Sequence, residues 1–208
     1  ITGKTLGVVG LGAIGRQLVR RVSGFDMQVL GYDPFFSAEK ARALDVEMVD
    51  LQELFARSDY VSLHVPENDE TRGMVNARLL GSMKQGAALI NCARAGIIQE
   101  EDLRQAVREG GIRYLNDVYP RDEAGEKSVA DVARVMLPHL GASTVEANTN
   151  AARRAALQLR EYFEKGIDTY VVNRAVPEGL DERYADLAYT LARLCRHIIG
   201  VRSQLKLI

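Results

Sequence analysis

The sequence predicts an α/β protein in which helices cover both faces of a doubly wound parallel sheet. Short apolar runs alternate with helical stretches over residues 4–165, and this alternation is typical of parallel βαβ units. A glycine-rich turn follows the first run, and polar side chains follow several later runs. Because ligands bind at the carboxyl ends of strands in open α/β sheets, these positions predict a binding site at one sheet edge.

The turn after the first predicted strand carries the strongest local pattern. An apolar run leads into it, and apolar residues at helical spacing follow it. Gly10, Gly12 and Gly15 fit G-x-G-x-x-G, which brings a dinucleotide pyrophosphate against the backbone and the helix N-terminus. Ala13 and Ile14 start that helix, so we expect them beneath the pyrophosphate.

A second predicted strand, residues 27–32, ends at Asp33, which lies 18 residues after Gly15. An acidic residue at this distance is typical of a contact with the adenosine ribose hydroxyls. Its carboxylate would repel a 2′-phosphate, so the sequence predicts NAD rather than NADP as the cofactor. An acidic residue that only caps a strand end is the alternative. With the glycine turn, this pattern is typical of the Rossmann fold.

The remaining elements follow from periodicity and capping signals. Residues 50–53 and 143–146 have the spacing of capping boxes and predict two helix starts. Further strands are expected over 46–49, 60–63, 87–91, 112–118 and 135–137, and helices over 38–43, 50–57, 76–83, 100–109 and 143–165.

The pattern changes after residue 166, where regular alternation stops. An extended segment at 171–173, a linker at 177–180 and a helix over 182–199 are expected. We therefore predict a nucleotide-binding domain over 1–170 and a C-terminal helical and extended appendage over 171–208. Because the chain starts at Ile1 and enters a strand at once, we expect a fragment of a longer protein.

Composition excludes several classes of function. The 208 residues are 47% apolar and 26% charged with a net charge of −1, which gives no electrostatic basis for binding nucleic acid or a membrane. No apolar run has the length of a membrane span, and no signal peptide is recognisable. Cys92 and Cys195 are far apart and predict neither a metal site nor a redox pair, so a reducing cytoplasm is expected.

Several motifs in the chain resemble the D-2-hydroxyacid dehydrogenase family. Their order and spacing match over residues 2–173. The motifs are Leu63-His64-Val65-Pro66, Thr71-Arg72-Gly73, Met83-Lys84, Leu89 to Gly96, Asp117-Val118-Tyr119 and Pro138 to Thr144. The resemblance implies NAD-dependent hydride transfer on a small 2-hydroxy or 2-oxo acid. The segment after residue 171 is similar to the longer phosphoglycerate dehydrogenases, which implies 3-phospho-D-glycerate as substrate and a place in serine biosynthesis.

The resemblance also implies roles for individual residues. His139 would be the general base, and Arg94 would hold the substrate carboxylate or polarise its C2 oxygen, both against the nicotinamide. The carboxylate that pairs with the histidine falls on Asp122 or on Glu123, because the proline that usually follows it is missing. The remaining cofactor contacts would be His64, Val65, Pro66 and Thr71 around the adenine and its ribose, Cys92 and Ala93 by their backbone near the nicotinamide ribose, and Asp117 and Gly141 at the carboxamide.

Two other functions remain open at this point. A corepressor-like protein that senses NAD(H) could keep the same arginine and histidine, and an isolated nucleotide-binding module would bind NAD without turnover. The family resemblance implies a homodimer or homotetramer. It also implies that residues 171–208 cross back to a substrate domain and start a further C-terminal region, and we expect the N-terminal substrate domain to be missing from this fragment. Turnover of a hydroxy acid would distinguish the enzyme from both alternatives.

Overall fold

A computed structural model describes residues 1–119, 128–171 and 190–191 of the chain. The chain divides into two compact units, residues 1–141 and residues 142–208. The strands are β1 (Thr5–Val9), β2 (Gln28–Tyr32), β3 (Glu47–Met48), β4 (Tyr60–Leu63), β5 (Ala87–Asn91), β6 (Ile112–Asn116) and β7 (Ala133–Met136). The α-helices are α1 (Ala13–Val22), α2 (Ala38–Arg42), α3 (Leu51–Arg57), α4 (Ala77–Ser82), α5 (Glu100–Arg108) and α6 (Val145–Lys165).

Within the described residues, the seven strands form one sheet in the order β3-β2-β1-β4-β5-β6-β7. Every neighbouring pair is parallel. The chain moves outward from β1 to β3 and then returns to place β4 on the other side of β1. The predicted doubly wound sheet is confirmed, and the reversal between β1 and β4 is where such sheets open a ligand crevice.

Two hydrophobic clusters cover the two faces of the sheet. The side chains of β1 alternate between them, as the two-residue period of a strand requires. Leu6 and Val8 join the smaller cluster with residues of α1 and α2. Val9 joins the larger cluster with residues of α3, α4 and α5. Helices therefore bury both faces, which explains why the strands read as continuous apolar runs.

Capping explains where two helices begin. The Asp50 carboxylate accepts a hydrogen bond from the Glu53 amide at 2.7 Å, so the predicted start of α3 is confirmed. The predicted cap of α6 was wrong by one residue. Thr144, not Ser143, has the extended backbone of a cap, and its hydroxyl accepts from the Ala147 amide at 3.0 Å.

Three strands differ in their bounds from the predictions, and at one of them a side chain captures the following backbone. The sixth strand was expected to reach residue 118 but ends at Asn116, because the Asn116 amide donates to the Val118 carbonyl oxygen at 2.7 Å. The third strand is shorter than predicted, and the seventh begins two residues earlier. The linker at 177–180 and nearly all of the helix predicted over 182–199 lie outside the described residues. The domain division at residue 170 stays a prediction.

The packing of β1 against α3 predicts a strong effect of Gly7→Ala. A methyl group there would lie 2.5 Å from both Leu54 Cδ2 and Ser58 Oγ. We expect the variant to lose about 1–3 kcal/mol of unfolding free energy through overpacking. Gly81→Ala in α4 is the matched control, since its methyl group meets nothing within 4 Å. That control should gain about 0.5–1 kcal/mol, and equal effects in urea unfolding would contradict the packing argument.

Candidate functional site

The glycine turn between β1 and α1 is shaped by close contacts at two of its three glycines. Gly10 has a φ of +95°, and a Cβ there would lie 2.9 Å from the His64 carbonyl oxygen. A Cβ on Gly15 would collide with the Gly10 carbonyl oxygen. At Gly12, by contrast, a Cβ would meet nothing within 4 Å. The turn is therefore tight on its protein side and open on the side where a pyrophosphate would approach.

The N-terminus of α1 faces that open side. The helix begins at Ala13, and its cap residue, Gly12, has no side chain with which to cover the first N–H groups. No acidic residue lies in the first turn. Ile14 is 70% exposed, which is high for a large apolar side chain. These features fit an anionic ligand that carries apolar surface, as a dinucleotide does.

Asp33 organises the end of β2 and the glycine turn together. Its Oδ2 accepts a hydrogen bond from the Leu11 amide at 2.8 Å, and its Oδ1 accepts from the Phe35 amide at 2.9 Å. A carboxylate has about four acceptor positions, so each oxygen can still accept from a ribose hydroxyl. The side chain is half-buried at the edge of the crevice. Asp33 thus holds the backbone of the turn, and its contact with the ribose stays a prediction.

The loop after β4 carries the residues predicted around the adenine. The His64 imidazole Nε2 lies 2.9 Å from the Ser62 hydroxyl. Burial lowers the pKa of His64 below its ordinary value, which favours the neutral ring. Thr71 donates its hydroxyl hydrogen to the Pro66 carbonyl oxygen. The structure therefore brings Thr71, Pro66 and His64 into one loop next to Gly10, with the Val65 side chain against the position of a Gly10 Cβ.

The turn after β5 carries Arg94 and depends on Asn91. The Asn91 side chain accepts from the Ala93 amide at 3.0 Å and donates to the Arg94 carbonyl oxygen at 2.9 Å. Asn91 is fully buried, whereas the side chains of Cys92 and Arg94 are exposed. The Arg94 guanidinium donates to the Ala93 carbonyl oxygen at 2.7 Å. This turn presents a cationic fork at the carboxyl edge of the sheet.

Cys92 is a free, exposed cysteine whose thiol has a raised pKa. Partial burial of its sulfur raises the pKa of the Cys92 thiol, and the negative charge of Asp117 raises it further. The residue therefore stays in the thiol form at neutral pH. This favours the backbone role expected for it rather than a nucleophilic role.

The loops after β4 and β5 are joined to each other. The Gly73 amide donates to the Gly96 carbonyl oxygen at 2.8 Å. A Cβ on Gly96 would lie 2.6 Å from the Glu67 carboxylate, which forms an ion pair with Arg72 at 2.8 Å. The predicted adenine side and the predicted substrate side of the crevice therefore share backbone support.

The loop after β7 carries His139 and is held by Asp117. Asp117 is only 5% exposed, and its two carboxylate oxygens accept from the amides of Leu140 at 2.9 Å and Gly141 at 3.2 Å. His139 is exposed and has a φ of +53°, and Gly141 has a φ of +47°. The ends of β6 and β7 are thus connected through one buried carboxylate.

Most of the predicted site residues lie in loops at one edge of the sheet, but two cannot be placed. Asp122 and Glu123 fall in residues 120–127, outside the described part of the chain. Sequence reasoning missed the supporting roles of Asn91 and Asn116. The available signal was an asparagine at the last position of two neighbouring strands, which pair directly in the sheet.

A model of the family described as "D-isomer specific 2-hydroxyacid dehydrogenase, NAD binding domain" matches residues 1–141. The chain belongs to this family. The cofactor predicted from Asp33 and the glycine turn, NAD, is confirmed at the level of this domain family.

Named relatives agree with this assignment. The chain is 39% identical over 205 residues to a D-3-phosphoglycerate dehydrogenase of Synechocystis, covering 96% of the chain and 37% of the relative. It is 40% identical over 174 residues to a D-3-phosphoglycerate dehydrogenase of Methanocaldococcus jannaschii, covering 82% and 33%. The chain therefore spans about a third of the length of these relatives.

Solved structures of the family share the fold. An NAD⁺-bound 3-phosphoglycerate dehydrogenase of Entamoeba histolytica aligns with a TM-score of 0.68 and 32% identity, covering 84% of this chain and 56% of that one. An apo D-mandelate dehydrogenase of Rhodotorula graminis aligns with a TM-score of 0.69 and 31% identity, covering 78% and 48%. Among the described helices, none is both long and apolar enough to cross a membrane.

The lowered pKa of His64 predicts a pH-dependent stability. The unfolded chain takes up this proton near pH 6.5 and the folded chain only at lower pH. Stability linked to His64 is therefore complete above about pH 6.5 and is lost as the pH falls towards the folded pKa. In urea unfolding, His64→Gln should lose less stability on acidification than the wild type. A His64 titration by NMR at or above its ordinary pKa would contradict this expectation.

Proposed function

We propose that the protein is an NAD-dependent oxidoreductase that transfers a hydride between a D-2-hydroxy acid and NAD. The observation that carries the proposal is the joined carboxyl edge of the sheet. There the loops of Arg94 and His139 are linked through Asp117, on the same domain as the glycine turn. The names of the two relatives support 3-phospho-D-glycerate, oxidised to its 2-oxo acid in serine biosynthesis, as the substrate.

The cofactor fits the residues of the crevice. The open face of Gly12 and the N–H groups at Ala13 and Ile14 suit the pyrophosphate. Asp33 suits the adenosine ribose, with the loop from His64 to Thr71 beside the adenine. Cys92, Ala93, Asp117 and Gly141 would surround the nicotinamide end. When bound, the nicotinamide accepts or supplies the hydride.

Arg94 and His139 supply the groups that such a substrate needs. The exposed Arg94 guanidinium is a planar fork that can bind a carboxylate through two parallel hydrogen bonds. The His139 imidazole would accept the C2 hydroxyl proton in oxidation and return it in reduction. Asp122 or Glu123 would pair with the imidazole and favour its protonated form.

The cellular setting belongs to the same proposal. An exposed free thiol at Cys92 is compatible with a reducing cytoplasm. The only other cysteine in the sequence, Cys195, is more than 100 residues away along the chain. We propose that the protein acts there as a homodimer or homotetramer, as the family resemblance implies. Sedimentation of the purified protein tests the assembly.

An absorbance assay for NADH tests the activity. The intact, full-length protein is offered NAD with a panel of D-2-hydroxy acids, and NADH with the corresponding 2-oxo acids. Turnover, fastest with phosphoglycerate, is expected. NAD binding in calorimetry without turnover of any acid in the panel would overturn the enzymatic proposal and favour an NAD-sensing or nucleotide-binding protein.

Replacing Asp33 should change cofactor selectivity. Asp33→Ala removes the ribose acceptor and the charge that repels a 2′-phosphate, so NAD affinity should fall about tenfold or more. The ratio of NAD affinity to NADP affinity should fall by more than the NAD affinity itself, because the Asp33 carboxylate no longer repels the 2′-phosphate of NADP. Asp59→Asn is the control. Asp59 lies just before β4, and its carboxylate also accepts a hydrogen bond from a backbone amide, that of Thr5. An unchanged ratio in Asp33→Ala would remove Asp33 from the ribose.

Replacing the proposed catalytic pair should separate its two roles. His139→Gln should lower kcat by about 10²–10⁴-fold through loss of the proton acceptor. Arg94→Lys should lower kcat/KM for the acid, because an ammonium cannot match the bidentate geometry. The loss of transition-state stabilisation should be about 1.5–3 kcal/mol. Arg108→Lys, an exposed arginine on α5, is the control. Wild-type kinetics in His139→Gln would exclude it as the base.

A further inference from the structure

We propose that Asn91 and Asp117 are positioning residues that together set the geometry of Arg94 and His139. The proposal rests on the proposed function, because it assigns those two side chains to the reaction. It concerns a different property, however, which is how two exposed loops are held in one arrangement before any ligand binds.

The loop with His139 depends on an external partner. Two of its three consecutive residues, His139 and Gly141, have left-handed backbone conformations. A histidine adopts this conformation at a cost in free energy, so the surrounding structure must favour it. Residues 139–141 are all exposed, and core packing therefore cannot supply that support.

The Asp117 carboxylate provides the support through two hydrogen bonds. One oxygen accepts from the Leu140 amide and the other from the Gly141 amide. Both bonds involve a charged acceptor, which makes them stronger than bonds between neutral groups. Because Asp117 is buried directly after β6, its position is fixed by the sheet. The loop therefore takes its orientation from the end of a core strand.

Asn91 connects this support to the turn with Arg94. The backbone carbonyl oxygen of Asn91 accepts a hydrogen bond from the backbone amide of Asp117 at 3.0 Å. Its side chain donates to the Arg94 carbonyl oxygen and accepts from the Ala93 amide. A single buried residue thus fixes both the arginine turn and the residue that holds the histidine loop.

The two residue types are matched to opposite requirements. Asp117 must accept at both oxygens, which a carboxylate does and an amide cannot. Asn91 must donate at one atom and accept at the other, which an amide does and a carboxylate cannot. Asp117→Asn and Asn91→Asp therefore each break a hydrogen bond with almost no change in volume.

Hydrogen exchange in the cofactor-free protein tests the support directly. In Asp117→Asn one side-chain oxygen remains as an acceptor, so exchange at either the Leu140 or the Gly141 amide should accelerate about tenfold or more, since these positions are otherwise exposed. Asp59→Asn should leave both amides at the wild-type rate. Equal exchange of these amides in the wild type and in Asp117→Asn would overturn the proposal. This measurement does not depend on turnover, so it separates the inference from the proposed activity.

Kinetics of Asn91 variants test the consequence for the reaction. Asn91→Ala removes both side-chain bonds to the turn without adding a charge, and it serves if Asn91→Asp does not fold. The variant should lower kcat at least tenfold and lower the calorimetric NAD affinity by a smaller factor, because the turn carries Arg94 for the substrate as well as Ala93 near the nicotinamide ribose. A fall in NAD affinity with unchanged kcat would overturn the positioning role.

Discussion

The parallel direction of all seven strands is the constraint from which the rest of the structure follows. It places every strand's carboxyl end at one edge, so every loop at that edge starts from a fixed point in the core. It also requires helical crossovers, which bury both faces of the sheet. The tight packing of Gly7 against α3 and of Gly10 against the His64 backbone shows how closely the layers approach at β1.

Short-range signals in the sequence were enough to predict the architecture. The apolar runs of β1, β2, β4 and β5 and the glycine turn define the fold, because each is local. The N-cap of α6 was misplaced by one residue since Ser143 and Thr144 are both good caps, and only backbone geometry distinguishes them. The early end of the sixth strand was hidden because the Asn116 side chain captures a backbone group two residues later.

The candidate site was less predictable because its support is long-range. The glycine turn and Asp33 could be recognised from spacing, but the bond between Asp33 and the Leu11 amide spans 22 residues. The bonds from Asp117 to Leu140 and Gly141 span more than 20 residues and use backbone donors, which carry no residue-specific signal. Spacing identified residues that could act on ligands but did not reveal how they are held.

The suppressed ionisation of Cys92 has a consequence for the durability of the site. Peroxides attack thiolates, so an exposed cysteine is oxidised to sulfenic acid more readily when its thiol ionises easily. Partial burial and the charge of Asp117 keep the Cys92 sulfur protonated. Partial burial, and with it the charge of the same Asp117 carboxylate that holds the histidine loop, therefore disfavours the oxidation of an exposed cysteine at this edge of the sheet.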